Sequence, residues 1–255
     1  MPSHARFLLG VAAFLALGSG CSYHVFSPPA RVFHMESAAP AKPGETIVGA
    51  RGGVFGGIFE PGAAIGSANV RHGVAPNVEL NAEGTYGHIL DDGDTNTVDV
   101  DKNAGIARVG VKAGNQYAAV TGGLGGGISA LGGFGSADLG GILSYANCYV
   151  VPYVAASGIA SAPLGSPNTI AFQNDRTSRP GSTLGWGAGV GLEIPLDHAR
   201  CFAGATSPRI QLGASSSTLW GRHTSNDGAG TDTYTGWDKH GFLGFGVGLE
   251  VPLKL

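Results

Sequence analysis

From Glu45 to the last residue the chain alternates apolar and polar side chains with a period of two, in segments of roughly 10–14 residues. In residues 77–86, Val78, Leu80, Ala82 and Tyr86 share one face, and Asn77, Glu79, Asn81, Glu83 and Thr85 share the other. In residues 105–113, Ala107, Val109, Val111 and Ala113 oppose Arg108 and Lys112. Successive side chains of a strand point to opposite sides, so each segment carries one apolar and one polar wall. Ordinary strands run to about 5–6 residues, whereas a tilted strand that crosses a bilayer needs about 9–11. Helices are disfavoured over the same region. The chain has 45 glycines, and each costs about 1 kcal/mol in a helix interior. No apolar run after the N-terminal segment approaches the length of a spanning helix.

This periodicity predicts ten strands, at 46–59, 63–72, 77–89, 104–113, 116–129, 135–146, 149–161, 183–195, 207–220 and 241–253. If the first strand rises from the periplasm, the inner turns fall at 73–76, 114–115, 147–148 and 196–206. The outer loops fall at 60–62, 90–103, 130–134, 162–182 and 221–240. The longer ones are polar and lie on the outer side, the asymmetry expected of outer-membrane barrels. An even strand number leaves both chain ends inside. The expected fold is therefore all-β, an antiparallel up-and-down transmembrane barrel spanning 45–255.

The N-terminus reads as an export signal over residues 1–20. Arg6 supplies the positive region, and Phe7 to Leu17 is apolar but too short to span a bilayer. Gly18, Ser19, Gly20 and Cys21 follow. This resembles a bacterial lipobox, in which the cysteine is lipidated, although Leu17 stands four residues before Cys21 where the pattern has three. Ordinary secretory cleavage is the alternative. Loss of Arg6 moves the net charge from −3 to −4, and no basic face suggests nucleic acid. Residues 21–44, with Pro28, Pro29, Pro40 and Pro43, read as a lipid anchor and flexible tether.

Two segments repeat: 184–196 (LGWGAGVGLEIPL) and 243–253 (LGFGVGLEVPL). Each sets a glycine wall capped by Glu193 or Glu250 against an apolar wall. Glycine on a lumen face leaves volume for bulky groups or water. With the closing phrase GVGLEVPL, the domain resembles the small Gram-negative outer-membrane barrels of the opacity-protein and OmpA-like class. The resemblance implies an outer-membrane location, with outer-membrane lipid and the barrel assembly machinery as partners. Such barrels often end in an aromatic residue, and this chain ends in Leu255.

The alternation turns Arg51, Arg71, Glu79, Glu83, Arg108, Lys112, Asp138, Glu193, Arg209 and Glu250 inward. Acids and bases balance, and a buried charge is costly unless paired. The expectation is a lumen knitted by ion pairs, with Glu79 and Glu83 near Arg108 and Lys112. Such a lumen is either filled or a narrow polar channel. Tyr86, Tyr145, Tyr149, Tyr153, Trp186 and Trp220 near strand ends are candidates for interface girdles. Cys148 and Cys201 fall on inner turns of neighbouring hairpins. They are either a disulfide, worth about 4 kcal/mol for a loop of this length, or two free thiols.

Catalytic and metal signals are weak. Residues 91–103 have the oxygen density of a Ca²⁺ loop, with Asp92, Asp94 and Asn96 in the first ligand positions. Thr97 replaces the required glycine and Asn103 the closing glutamate. His88, Asp91, Asp92, His223, Asp227, Asp238 and His240 lie near the outer rim, where Asp/His pairs can activate water, but no protease motif surrounds them. GxSxG is absent, and no helix pattern follows the glycines of 122–127. The reading is a non-enzymatic envelope protein without a cofactor, structural or surface-interacting through its loops. The alternatives are a narrow solute channel and a lipid-tethered soluble β-domain. On the assigned register, Val109→Arg is expected to harm assembly more than Gly246→Ser.

Overall fold

A computed structural model describes residues 27–31, 34–56, 62–90, 103–171, 177–202, 206–226 and 233–253. The strands are β1 (Thr46–Gly56), β2 (Ala63–Ala75), β3 (Val78–Ile89), β4 (Asn103–Gly114), β5 (Ala118–Ser129), β6 (Gly132–Ser144), β7 (Val151–Pro163), β8 (Ile170–Ala171), β9 (Thr177–Pro195), β10 (Arg209–Asn226) and β11 (Thr233–Leu253). One short helix, α1 (His198–Phe202), lies between β9 and β10. Sequential strands pair antiparallel. β11 pairs with β1, and β9 pairs with both β7 and β10, so the sheet closes on itself. The two-residue β8 only extends the edge of β9. The wall is thus a closed ten-stranded barrel, and closure removes the unpaired edges that an open sheet would expose.

The predicted in/out register holds along the wall. Val109, Leu124, Ile128, Leu139 and Phe245 are 62–72% exposed, while their neighbours Arg108 and Asp138 are buried inside. A continuous apolar exterior of this kind is stable facing lipid and unstable facing water. At the inner end Tyr145 and Tyr149 are exposed, and Tyr149 packs edge-on against Phe202 of α1 with centroids 5.7 Å apart. Tyr86 is also exposed on the outer wall. Trp220 faces outward near the other end with Lys239 Nζ 6.0 Å from its ring. Tyr153 departs from the girdle expectation. It lies opposite Gly191 on the lumen side and is buried.

The outer ends differ from expectation in a second respect. β9, β10 and β11 have 19, 18 and 21 residues, about twice what a bilayer requires. They take up much of the predicted loops 162–182 and 221–240. Their extensions place Arg179, Ser182 and Arg222 on the outer face, so no apolar wall marks them in the sequence.

Two of the inner turns, β2–β3 and β4–β5, are tight. The β2–β3 turn puts Asn77 at φ 66°, a conformation asparagine tolerates better than most residues. Beside it, Gly73 pairs with Pro43 and donates to the Glu45 carbonyl at 3.0 Å. A Cβ at Gly73 would collide with the Lys42 carbonyl, so only glycine lets the chain enter β1 at this point.

Candidate functional site in the barrel lumen

The most consequential departure from expectation concerns the predicted tether. Residues 27–31 and 34–41 do not trail from the barrel; they lie inside it, and the chain leaves at the exposed Lys42 to Gly44. Ser27, Ala30, Arg31, His34, Met35, Glu36, Ser37, Ala38 and Ala41 are each at most 6% exposed. Four prolines and no apolar period gave this segment the look of a linker. The same properties suit an extended chain inside a barrel. Prolines remove backbone donors that would otherwise need partners there.

Several of the remaining backbone groups bond to the wall. Ser37 N–H donates to Glu193 Oε1 at 2.7 Å and the Ser37 hydroxyl to Oε2 at 2.8 Å. Ala41 N–H donates to Glu79 Oε2 at 2.7 Å, and Ala38 N–H to the Ser144 hydroxyl at 3.2 Å. Carbonyls of the segment accept in turn. Arg71 donates to the Ala39 oxygen at 2.9 Å, Lys112 to that of Ser37 at 3.2 Å and Ser161 to that of Pro28 at 2.7 Å.

The glycine wall makes room for this chain. A Cβ at Gly246 would lie 2.6 Å from Met35 Sδ, one at Gly125 2.7 Å from Ala30 Cβ, and one at Gly189 3.3 Å from His34 Cβ. The repeats therefore clear a path for the chain's own N-terminal segment, in addition to groups from facing strands.

All ten charged residues assigned to the lumen line it. Arg71, Glu79, Lys112, Glu193 and Glu250 are at most 1% exposed, and Arg51, Arg108 and Asp138 at most 9%. The side chains of Glu83 and Arg209 are 14% and 15% exposed. Arg71 bridges Glu79 at 2.9 Å and Glu250 at 2.8 Å. Lys112 reaches Glu79 and Glu36 at 3.2 Å each. Arg51 pairs with Glu250 at 3.0 Å and Glu83 at 3.6 Å. Arg209 holds Glu193 at 2.6 Å. The segment adds its own pair, Arg31 and Glu36, to this network.

One expected pairing differs. Glu83 stands opposite Arg108 in the ladder, yet Arg108 grips Asp138 two strands away with bonds of 2.7 and 2.8 Å. Gly123 on the intervening β5 makes this possible, because a Cβ there would strike the guanidinium. A bidentate Arg–carboxylate fork is the stronger arrangement.

Cys148 and Cys201 are joined by a disulfide with Cα atoms 5.5 Å apart. It ties the β6–β7 connection to α1, where His198 also bonds to the Cys148 carbonyl at 2.6 Å. Cys21 lies outside the described residues. So do Asp91, Asp92, Asp94, Asn96, Thr97 and Asp227, and with them most of the Ca²⁺-loop reading and three of the seven rim residues. Among the rim residues described, His223 and Asp238 approach to 3.8 Å, and His240 stacks on Phe242. No group of three His, Cys, Asp or Glu suited to a metal occurs among the described residues.

Beside Arg51 a cavity of about 570 Å³ opens between β1 and β4, lined also by Ser67, Thr85, Tyr86 and Ile106. The segment itself was the part of the site that sequence reasoning missed. Its only signal was its alternatives-free polarity: Arg31 and Glu36 sit in a short Pro-rich stretch that ends at the first strand.

No protein-family model and no curated protein matches this chain. Solved structures with a similar course include the outer membrane protein OprG of Pseudomonas aeruginosa, 9% identical with a TM-score of 0.42, covering 83% of this chain and 98% of that one. An outer membrane channel of Pseudomonas putida F1 is 9% identical with a TM-score of 0.43, covering 86% and 100%. Neisserial surface protein A is 11% identical with a TM-score of 0.35, covering 81% and 95%. By the closure and pairing of its own strands, this chain is a small up-and-down β-barrel of the outer-membrane type.

Proposed function

We propose that this protein is an integral outer-membrane barrel whose lumen is closed by its own N-terminal segment, and that it acts as a structural or surface-interacting protein through its outer rim. The observation that carries the reading is the enclosure of residues 27–31 and 34–41, bound to the wall through Glu79, Lys112 and Glu193. An open pore needs a continuous water path. Here the central cross-section holds a peptide whose Arg31 and Glu36 meet charges of the wall and whose backbone bonds to it at Pro28, Ser37, Ala38, Ala39 and Ala41. The exposed outer wall supports membrane integration over a lipid-tethered soluble domain, because in water it would be a continuous apolar belt.

The test is planar-bilayer recording of the purified chain beside a variant lacking residues 28–41. The intact chain should be silent and the deletion should give discrete openings. Steady conductance from the intact chain would favour the second reading, a narrow channel for small solutes. One feature favours that alternative: the cavity beside Arg51, which Ser67 and Thr85 also line, is open, as the mouth of a permeation path would be.

A further inference from the structure

The lumen segment has a direction. Its backbone and short side chains meet the outer half of the wall first and the inner ends last, while the long Arg31 side chain reaches further down. The Pro28 carbonyl accepts from Ser161, two residues from the outer end of β7. Ala30 lies against Gly125, in the outer half of β5. Arg31 then reaches Thr121 at 3.3 Å. His34 Nε2 bonds the Ser157 hydroxyl at 2.8 Å, in the middle of β7. Glu36 meets Lys112 and Ser37 meets Glu193, each two residues from the inner end of its strand. Ala41 and Pro43 reach Glu79 and Gly73 at the inner turn of β2 and β3. The chain at Ser27 is therefore near the end of the barrel that carries the long connections, and at Gly44 it is at the end that carries both strand termini.

We propose that the protein is threaded through its own barrel, so that the segment preceding Ser27 emerges at the outer rim and is displayed on the cell surface. This rests on the plug reading given above. A lipid carried at Cys21 would then sit in the outer leaflet, not the inner one. Distance supports this. From Pro28 to Cys21 the chain spans about 25 Å at full extension. The level of Pro28 lies ten strand residues above Val151, about 33 Å along β7 at 3.3 Å per residue. Even after strand tilt, a return to the inner surface would need a fully stretched chain. That chain would have to pass beside residues 28–31 and 34–41, which already occupy the lumen.

The test uses the full chain in the outer membrane of a Gram-negative host, with three separate variants: His24→Cys, Ser166→Cys on the outer side and Gln116→Cys in an inner turn. Each is treated with a membrane-impermeant maleimide on intact and on permeabilised cells, with the unsubstituted chain as background. Threading predicts that His24→Cys labels on intact cells as fully as Ser166→Cys, while Gln116→Cys labels only after permeabilisation. Protection of His24→Cys on intact cells overturns the proposal, whether or not it labels afterwards. A fourth variant, His34→Cys with Gly189→Cys, separates the two readings, because an added Cβ at Gly189 lies 3.3 Å from that of His34. A cross-link there with His24→Cys protected leaves the plug standing and removes the threading. No cross-link removes both.

Discussion

Replacing Gly246 by Val tests the packing of the lumen segment at its tightest apolar contact. A Cβ at Gly246 would lie 2.6 Å from Met35 Sδ and 3.2 Å from the Gly52 carbonyl, whereas carbon and sulfur contacts relax near 3.5–4.0 Å. Met35 would have to retreat by about 1 Å for the first carbon alone. It has little space for that. It is 1% exposed, and its Cγ is already 3.2 Å from the position of a Cβ on Gly213. Overpacking of this kind costs about 1–3 kcal/mol. Met35→Ala removes the obstacle but leaves a cavity, at about 2–5 kcal/mol. Combined, the two should be less damaging than their sum by about 1–3 kcal/mol, since the valine methyls enter the vacated volume. The assay is urea unfolding of all four proteins in detergent micelles. Additivity within about 0.5 kcal/mol would show that Met35 does not pack on Gly246, and the enclosed segment would have to be abandoned. The same contact bears on the expectation that Gly246→Ser harms assembly less than Val109→Arg. A serine meets the same sulfur, so its tolerance depends on how far Met35 can shift.

Three further outcomes are expected. Val109→Arg puts a charge on the lipid face at mid-strand, where Val109 is 63% exposed, and should cost about 2–4 kcal/mol; folded yield, read by heat-modifiable gel migration, should drop, and unchanged yield would contradict the outward register. Glu193→Ala removes the acceptor for Ser37, Arg209 and Gln211 together and should destabilise by about 3–5 kcal/mol, with Glu193→Gln costing less; equal urea midpoints for Ala and Gln would mean that the charge on Arg209 does not depend on Glu193. Cys148→Ser with Cys201→Ser opens a link across 53 residues and should lower stability by about 4 kcal/mol in the chain-entropy model; a midpoint insensitive to reductant in the parent chain would show that the bridge constrains nothing in the unfolded state.

How much was legible can be argued from particular residues. Val109 and Arg108 are adjacent and face opposite media, which is a property of strand geometry alone, so the sequence states it directly. The strand count, the inward set from Arg51 to Glu250 and the placing of Cys148 and Cys201 at one end all follow from that alternation. Arg179 and Arg222 were not legible as strand, because the outward positions of those extensions are polar (Arg179, Ser182, Arg222) while inward ones such as Ser178 and His223 are polar too, so no apolar wall alternates with a polar one. Tyr153 was drawn outward by its residue type, while its register turns it in opposite Gly191. Partner choice within the lumen was also beyond the pattern. Glu83 lies opposite Arg108, but whether Arg108 turns to Glu83 or to Asp138 depends on the space above Gly123, a matter of three strands at once.

The sequence by itself determined the wall, because a period of two at bilayer length has few folded outcomes, and a closed antiparallel barrel satisfies every backbone group without an edge. Only the tertiary structure decided what the wall encloses. The segment 27–44 carries no period and no propensity strong enough to announce itself. Its place is set by Glu79, Lys112, Glu193 and the cleared glycines, which come from strands far apart in the chain and form a cradle only once the barrel has closed.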